Sequence, residues 1–90
     1  PGDYERLYVG QGRRCWICQR ATGATRKLSV DHDHRAGCGT HEPTKACRRC
    51  VRGLLCRRCN DLLGHVRDDT DTLYRALWYL ANPPARGILG

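Results

Sequence analysis

The chain has 90 residues, 40 % of them hydrophobic, with no phenylalanine or methionine and aromatics at only 7 %. A chain this short buries too little apolar surface to fold comfortably without cross-links, and seven cysteines and four histidines offer the means to make them. The formal charge of +7 arises in the first sixty residues, which hold 13 of the 16 Lys/Arg but only 5 of the 9 Asp/Glu. That surface suits a phosphate backbone, and no apolar run is long enough to span a membrane.

In chain order, Tyr4, Leu7 and Tyr8 follow Asp3 at helical spacing, which predicts a short helix capped by Asp3 and ended by Gly10-Gln11-Gly12. The pair Cys15/Cys18 comes next. Trp16 inside it is expected to pack beside a bound metal, with base stacking as the lesser reading. Lys27-Leu28-Ser29-Val30 alternates and predicts a strand leading into Asp31, so Asp31, His32, Asp33 and His34 are expected at a strand end. Residues 35–50 have almost no aliphatic side chains, and apolar burial cannot order them.

Arg52-Gly53-Leu54-Leu55 predicts a second strand, and Cys59, Leu62, Leu63 and Val66 mark one face of a helix that begins at Cys56. Asn60 lies about 100° round that helix from Cys59 and points away from the metal side. His65, at the outer end, is expected to be solvated. Thr70 or Asp71 is the expected cap of a last helix, with Leu73, Leu77, Leu80 and Ala81 as a core stripe, Trp78 and Tyr79 closing the domain, and Pro83-Pro84 as its end. Residues 1–84 read as one domain and 85–90 as a flexible tail.

The cysteines are odd in number and form three CxxC pairs, Cys15/Cys18, Cys47/Cys50 and Cys56/Cys59, with no apolar secretory segment among the residues before them. Tight thiol pairs outside a βαβ pattern suit zinc in a reducing compartment better than disulfides or redox chemistry. By spacing alone, Cys15/Cys18 can share a zinc with either of the later pairs.

The segments CWIC at 15–18, LSVDHDH at 28–34 and RGLLCRRCNDLLG at 52–64 resemble the recombination endonuclease VII group of phage and actinobacterial proteins, within the HNH or ββα-metal nucleases. The resemblance implies a small, zinc-stapled α+β fold, a ββα-metal finger with flanking N-terminal and C-terminal helices. Cys15, Cys18, Cys56 and Cys59 would hold a structural zinc. Asp31 and Asn60 would bind a catalytic Mg2+ or Mn2+, His32 would act as general base, and His34 would bind or orient the scissile phosphate. The products would be a 5′-phosphate and a 3′-hydroxyl.

Two departures qualify that picture. Cys38, His41, Cys47 and Cys50, in a C-x2-H-x5-C-x2-C array, remain once the first site has its four ligands, and a second structural zinc is expected there. The chain also stops at Gly90, where junction-resolving members continue into a long helical dimerisation region, so a monomer that nicks DNA is expected, with a dimer still open. Some members carry a histidine where Ser29 stands here. Arg35, Arg48, Arg49, Arg52, Arg57 and Arg58 are expected to grip double-stranded or branched DNA through its phosphates without strong sequence specificity. The expected setting is cytoplasmic and nucleoid-associated. The rival reading is a non-catalytic zinc-containing nucleic-acid-binding module, which would not need Asp31, His32 and Asn60 together.

Overall fold

The structure, a computed structural model, describes residues 2–33 and 50–90. The expectations for His34, Arg35, Cys38, His41, Cys47, Arg48 and Arg49 lie outside these residues. The chain opens with α1 (Asp3–Gly10), whose cap is Gly2 rather than Asp3; Asp3 instead sits in the first turn, where a carboxylate complements the exposed N–H groups. Tyr4 and Leu7 turn toward the interior, and the Tyr4 hydroxyl donates to the Leu28 carbonyl at 3.0 Å.

The strands β1 (Ser29–His32) and β2 (Val51–Leu55) pair antiparallel. The first is shifted two residues along from the predicted segment, so Asp31 and His32 are its last two residues, paired in the ladder rather than following it. Ser29 faces Leu55, Val30 faces Leu54 and Asp31 faces Gly53, but His32 faces Val51. Arg52 is therefore an extra residue on β2. Such a bulge twists the strand locally and re-aims a side chain, and here the re-aimed side chain is that of Arg52.

The helix α2 (Arg57–His65) follows β2 directly and packs against both strands. Buried among the described residues are three leucines, Leu28, Leu54 and Leu55, and three cysteines, Cys15, Cys50 and Cys59. Thiols thus do as much as aliphatics to make the interior, in keeping with a sequence that has no phenylalanine or methionine. Around them pack Tyr4, Leu7, Tyr8 and Leu63.

Gln11 fastens α1 to the outer side of β2. Its Nε2 donates to the Leu54 carbonyl at 3.0 Å and its Oε1 accepts from the Leu54 N–H at 2.8 Å. A Cβ at position 53 would stand 3.0 Å from that same Oε1, so glycine is what lets the amide approach. The amide serves both backbone groups of a fully buried residue, whose carbonyl also accepts from the Trp16 N–H at 3.3 Å, and leaving the buried N–H unpaired costs about 1–3 kcal/mol. Gln11→Ala is expected to lower the zinc-loaded protein's stability by about that amount in a urea titration. An unchanged midpoint would show that solvent replaces the amide without cost.

The helix α3 (Thr70–Ala81) is capped by Asp69, one residue earlier than expected. The Asp69 carboxylate accepts from the Asp71 N–H at 3.2 Å and from the Thr72 hydroxyl at 2.6 Å. Its apolar stripe is not core. None of its residues is buried, and Leu77, Trp78, Tyr79 and Leu80 are all more than half exposed. Helical spacing fixes which side chains share a face, not whether anything covers it, and no described element does. The stretch read as a tail carries a short helix, α4 (Pro84–Ile88), also without buried residues. Among the described residues no helix is long and apolar enough to cross a membrane.

Candidate functional site

The four thiols of Cys15, Cys18, Cys56 and Cys59 converge from the first knuckle and from the junction of β2 with α2, their sulfur atoms all within 4.8 Å of one another. Cys18 Sγ and Cys56 Sγ stand 3.9 Å apart, and the edge of a zinc–sulfur tetrahedron with 2.3 Å bonds is about 3.8 Å. The donors and their spacing fit one zinc ion. None of the four is bonded to another sulfur.

Local structure prepares these thiols differently. The backbone N–H groups of Ala21 and Arg20 hold the Cys18 thiol down at about 6, whereas burial pushes Cys59 up to about 12. For Cys15, burial acts upward but is outweighed by the backbone N–H groups of Cys56, Cys18 and Ile17, leaving it below its ordinary value. Cys50, the one member of the expected second zinc set among the described residues, is buried.

A cavity of about 680 Å3 opens beside the sheet, lined by Asp31 from β1, Arg52 from β2 and Asn60, Asp61 and His65 from α2, together with Asp68 beyond it. The zinc-type cluster accounts for this meeting. Cys59 fixes the rotation of α2, and Asn60, next along the helix, is turned out of the thiol cluster into the cavity with Asp31. The Asp31 carboxylate is only 8 % exposed and accepts from both Arg52 Nε at 2.7 Å and Arg52 Nη2 at 3.0 Å. Arg52 Nη2 also reaches Asp68 Oδ1 at 3.2 Å. Asp31 holds the guanidinium firmly in its charged form, with Asp68 adding to the effect.

Asp68 reaches Arg52 because the chain reverses sharply after α2. Arg67 and Asp68 both adopt left-handed backbone angles, φ 55 and φ 57, and the Asp68 N–H bonds back to the Leu63 carbonyl at 2.9 Å. Two consecutive non-glycine residues in that region are uncommon and cost energy that the surroundings must offset. Here Asp68 is also tied down by its ion pair.

The cavity therefore brings together Asp31 and Asn60, as expected, but not His32. His32 is half-buried on β1 and does not line it, in keeping with the alternation of side chains along a strand. His65, expected to be merely solvated, does line it. Arg52 differs from its expected role: it is an ion-pair partner of Asp31 and not a free phosphate contact. The extra ladder residue that re-aims it is a register feature, invisible until the strands are paired. Arg57 lies on the exposed side of α2, where its 3.8 Å contact with Asp61 is a weak surface pair, and Arg58 is likewise exposed.

Among the described residues, a small α+β fold with a two-stranded sheet, α1 and α2 packed on it and four thiols placed to hold a zinc ion defines the class. The chain belongs to the recombination endonuclease VII family, whose model matches residues 1–82. It is 46 % identical over 89 residues to the gene 59 proteins of Mycobacterium phages L5 and D29, covering 98 % of this chain and 47 % of each of theirs. It thus spans about half the length of the curated relatives it matches. No solved structure matches it.

Proposed function

We propose that this chain is the catalytic finger of a divalent-cation-dependent DNA endonuclease of the HNH, or ββα-metal, type. The observation that carries the proposal is the meeting of Asp31 and Asn60 in one cavity, at the point where β1, β2 and the thiol-anchored helix α2 join. A carboxylate and an amide oxygen suit a hard cation such as Mg2+ or Mn2+ better than zinc, and Asp31 already faces one positive charge, that of Arg52. When bound, such a cation supplies charge stabilisation to the phosphate and to the departing O3′.

The chain's own residues then divide the work. Arg52 yields the Asp31 carboxylate and stays tethered through Asp68. His32, next to Asp31 on β1, takes a proton from the attacking water, a role suited to imidazole because it exchanges protons near neutral pH. His34 orients the scissile phosphate, and attack at phosphorus leaves a 5′-phosphate and a 3′-hydroxyl. Arg35, Arg48, Arg49, Arg57 and Arg58 hold the phosphate backbone without reading bases. Cys38, His41, Cys47 and Cys50 bind a second structural zinc.

A second reading, a nucleic-acid-binding module without catalysis, is favoured by the Arg52–Asp31 pair, which satisfies the carboxylate with no metal at all. A plasmid assay separates the two. The wild-type protein should nick supercoiled DNA in Mg2+ or Mn2+, and His32→Ala, with unchanged zinc content, should be slower by roughly 10^2 to 10^4. His65→Ala should remain within a few-fold of wild type. An intact plasmid under every divalent cation tested, or equal nicking by His32→Ala, ends the nuclease reading; salt-sensitive binding without nicking leaves the second.

A further inference from the structure

Trp16 occupies a position that neither the zinc-type cluster nor the proposed cleavage step explains. Its neighbour Cys15 is fully buried, yet Trp16 is 62 % exposed and the following Ile17 is 42 % exposed. The expectation that the indole would pack beside the metal is not met. Its backbone is nevertheless fixed: the Trp16 N–H donates to the Leu54 carbonyl at 3.3 Å, and its own carbonyl accepts from Gln19 Nε2 at 2.6 Å. A large aromatic ring is thus held out at the tip of a cross-linked knuckle. An exposed indole forgoes the burial that such a side chain ordinarily contributes to a small core.

The ring also borders a second cavity, of about 530 Å3, with Ile17, Leu7 and Leu55 as further apolar lining and Arg6 as a cation; Arg52 borders it too, but is paired with Asp31. This cavity shares Asp31, Arg52 and Leu63 with the first, so whatever fills it lies next to the candidate cleavage site. Apolar lining with an aromatic ring and the Arg6 guanidinium matches the parts of a nucleotide: a flat base to stack and a phosphate to neutralise. The volume lies within the range of small-molecule sites. A paired base in a duplex has both faces covered by its neighbours, so only an unpaired base can take such a place.

We propose that Trp16, with Ile17 beside it, is the stacking platform for one unpaired nucleobase of the bound DNA strand, adjacent to the Asp31–Asn60 cavity. The identity of the ligand rests on the endonuclease reading, and the platform would give this chain a preference for frayed, single-stranded or branched DNA over continuous duplex.

The test uses the zinc-loaded protein without added Mg2+ or Mn2+, a thymidine oligonucleotide and a duplex of equal length. In a Trp78→Phe background Trp16 is the only indole, and its emission should be quenched as the oligonucleotide saturates the protein. Trp16→Ala, with zinc content equal to wild type, should weaken single-strand binding by roughly five- to hundredfold, the equivalent of one stacked base. Its duplex affinity should change little, and Trp16→Phe should recover most of the loss. Unchanged emission in the saturated complex, single-strand binding within twofold of wild type in Trp16→Ala, or an equal loss for duplex and single strand each overturns the proposal. If any of these occurs while the wild-type protein still nicks plasmid, the platform falls and the endonuclease reading stands; if the plasmid stays intact, that reading falls on its own evidence.

Discussion

Cys59→Ser is expected to unfold this protein at neutral pH, with loss of cooperative thermal unfolding and of the helical circular-dichroism signal, and a strong zinc chelator should do the same to the wild type. The reason lies in the composition of the interior. Two of the buried side chains, Cys15 and Cys59, belong to the thiol cluster, and only Leu28, Leu54 and Leu55 supply buried aliphatic surface among the described residues. Three leucines contribute roughly 5–9 kcal/mol of burial, which the ordering entropy of such a chain exceeds several-fold. Structural zinc contributes about 10–16 kcal/mol in small domains of this kind. A cooperative transition that persists in the zinc-free protein would sink the view that the metal supplies the fold.

The same site should bind zinc with a defined pH dependence. Zinc takes thiolates, so each sulfur still protonated must release its proton on binding, and affinity rises with pH. Because the metal-free chain is unfolded and its thiols are protonated at pH 7, zinc uptake should release close to four protons per ion. Titration calorimetry in buffers of different ionisation enthalpy counts them, and a count of zero would contradict the assignment of thiol states. Lowering the pH toward 5 should expel the metal and, with it, the stability it confers.

The second large effect is expected at Asp31. Asp31→Ala should lower the nicking rate by at least about a thousandfold, the scale of several kcal/mol of transition-state charge stabilisation that a held cation provides. Arg52→Ala should behave differently. It leaves a nearly buried carboxylate without its counter-charge, which destabilises a buried pair by about 3–5 kcal/mol; because 27 % of the Arg52 side chain is exposed, roughly 2 kcal/mol is the fitting figure once solvent screening is allowed for. Since Arg52 competes for the carboxylate that would hold the cation, the variant should be stabilised by Mn2+ more than the wild type is. Equal Mn2+-induced shifts in melting temperature for the two proteins would show that Arg52 and the cation do not share Asp31.

Some of this architecture was legible in the sequence because it is local. The helix from Cys56 and the place of Asn60 beside Cys59 follow from 3.6-residue periodicity, and the two knuckles follow from CxxC spacing. Other features were not legible, and each involves a partner distant in the chain. The strand β1 runs to His32 and not to Val30 because Val51 and Gly53 are there to pair with it. Arg52 reads as one more surface cation until the register leaves it opposite the step between Asp31 and His32. The stripe Leu73, Leu77, Leu80 reads as core, but a periodic pattern carries no information about what lies against it.

By itself, then, the sequence determined the dependence on thiol cross-links, the basic surface, the α2 helix and the identity of the groups available for chemistry, because composition and nearest-neighbour spacing dictate these. Only the tertiary structure decided that Asp31 meets Asn60 across a cavity that excludes His32, that a bulge swings Arg52 onto Asp31, and that Trp16 stands exposed beside the neighbouring cavity. Those outcomes depend on strand register and helix rotation, which are set by pairing and metal-ligand geometry between residues some twenty to forty positions apart.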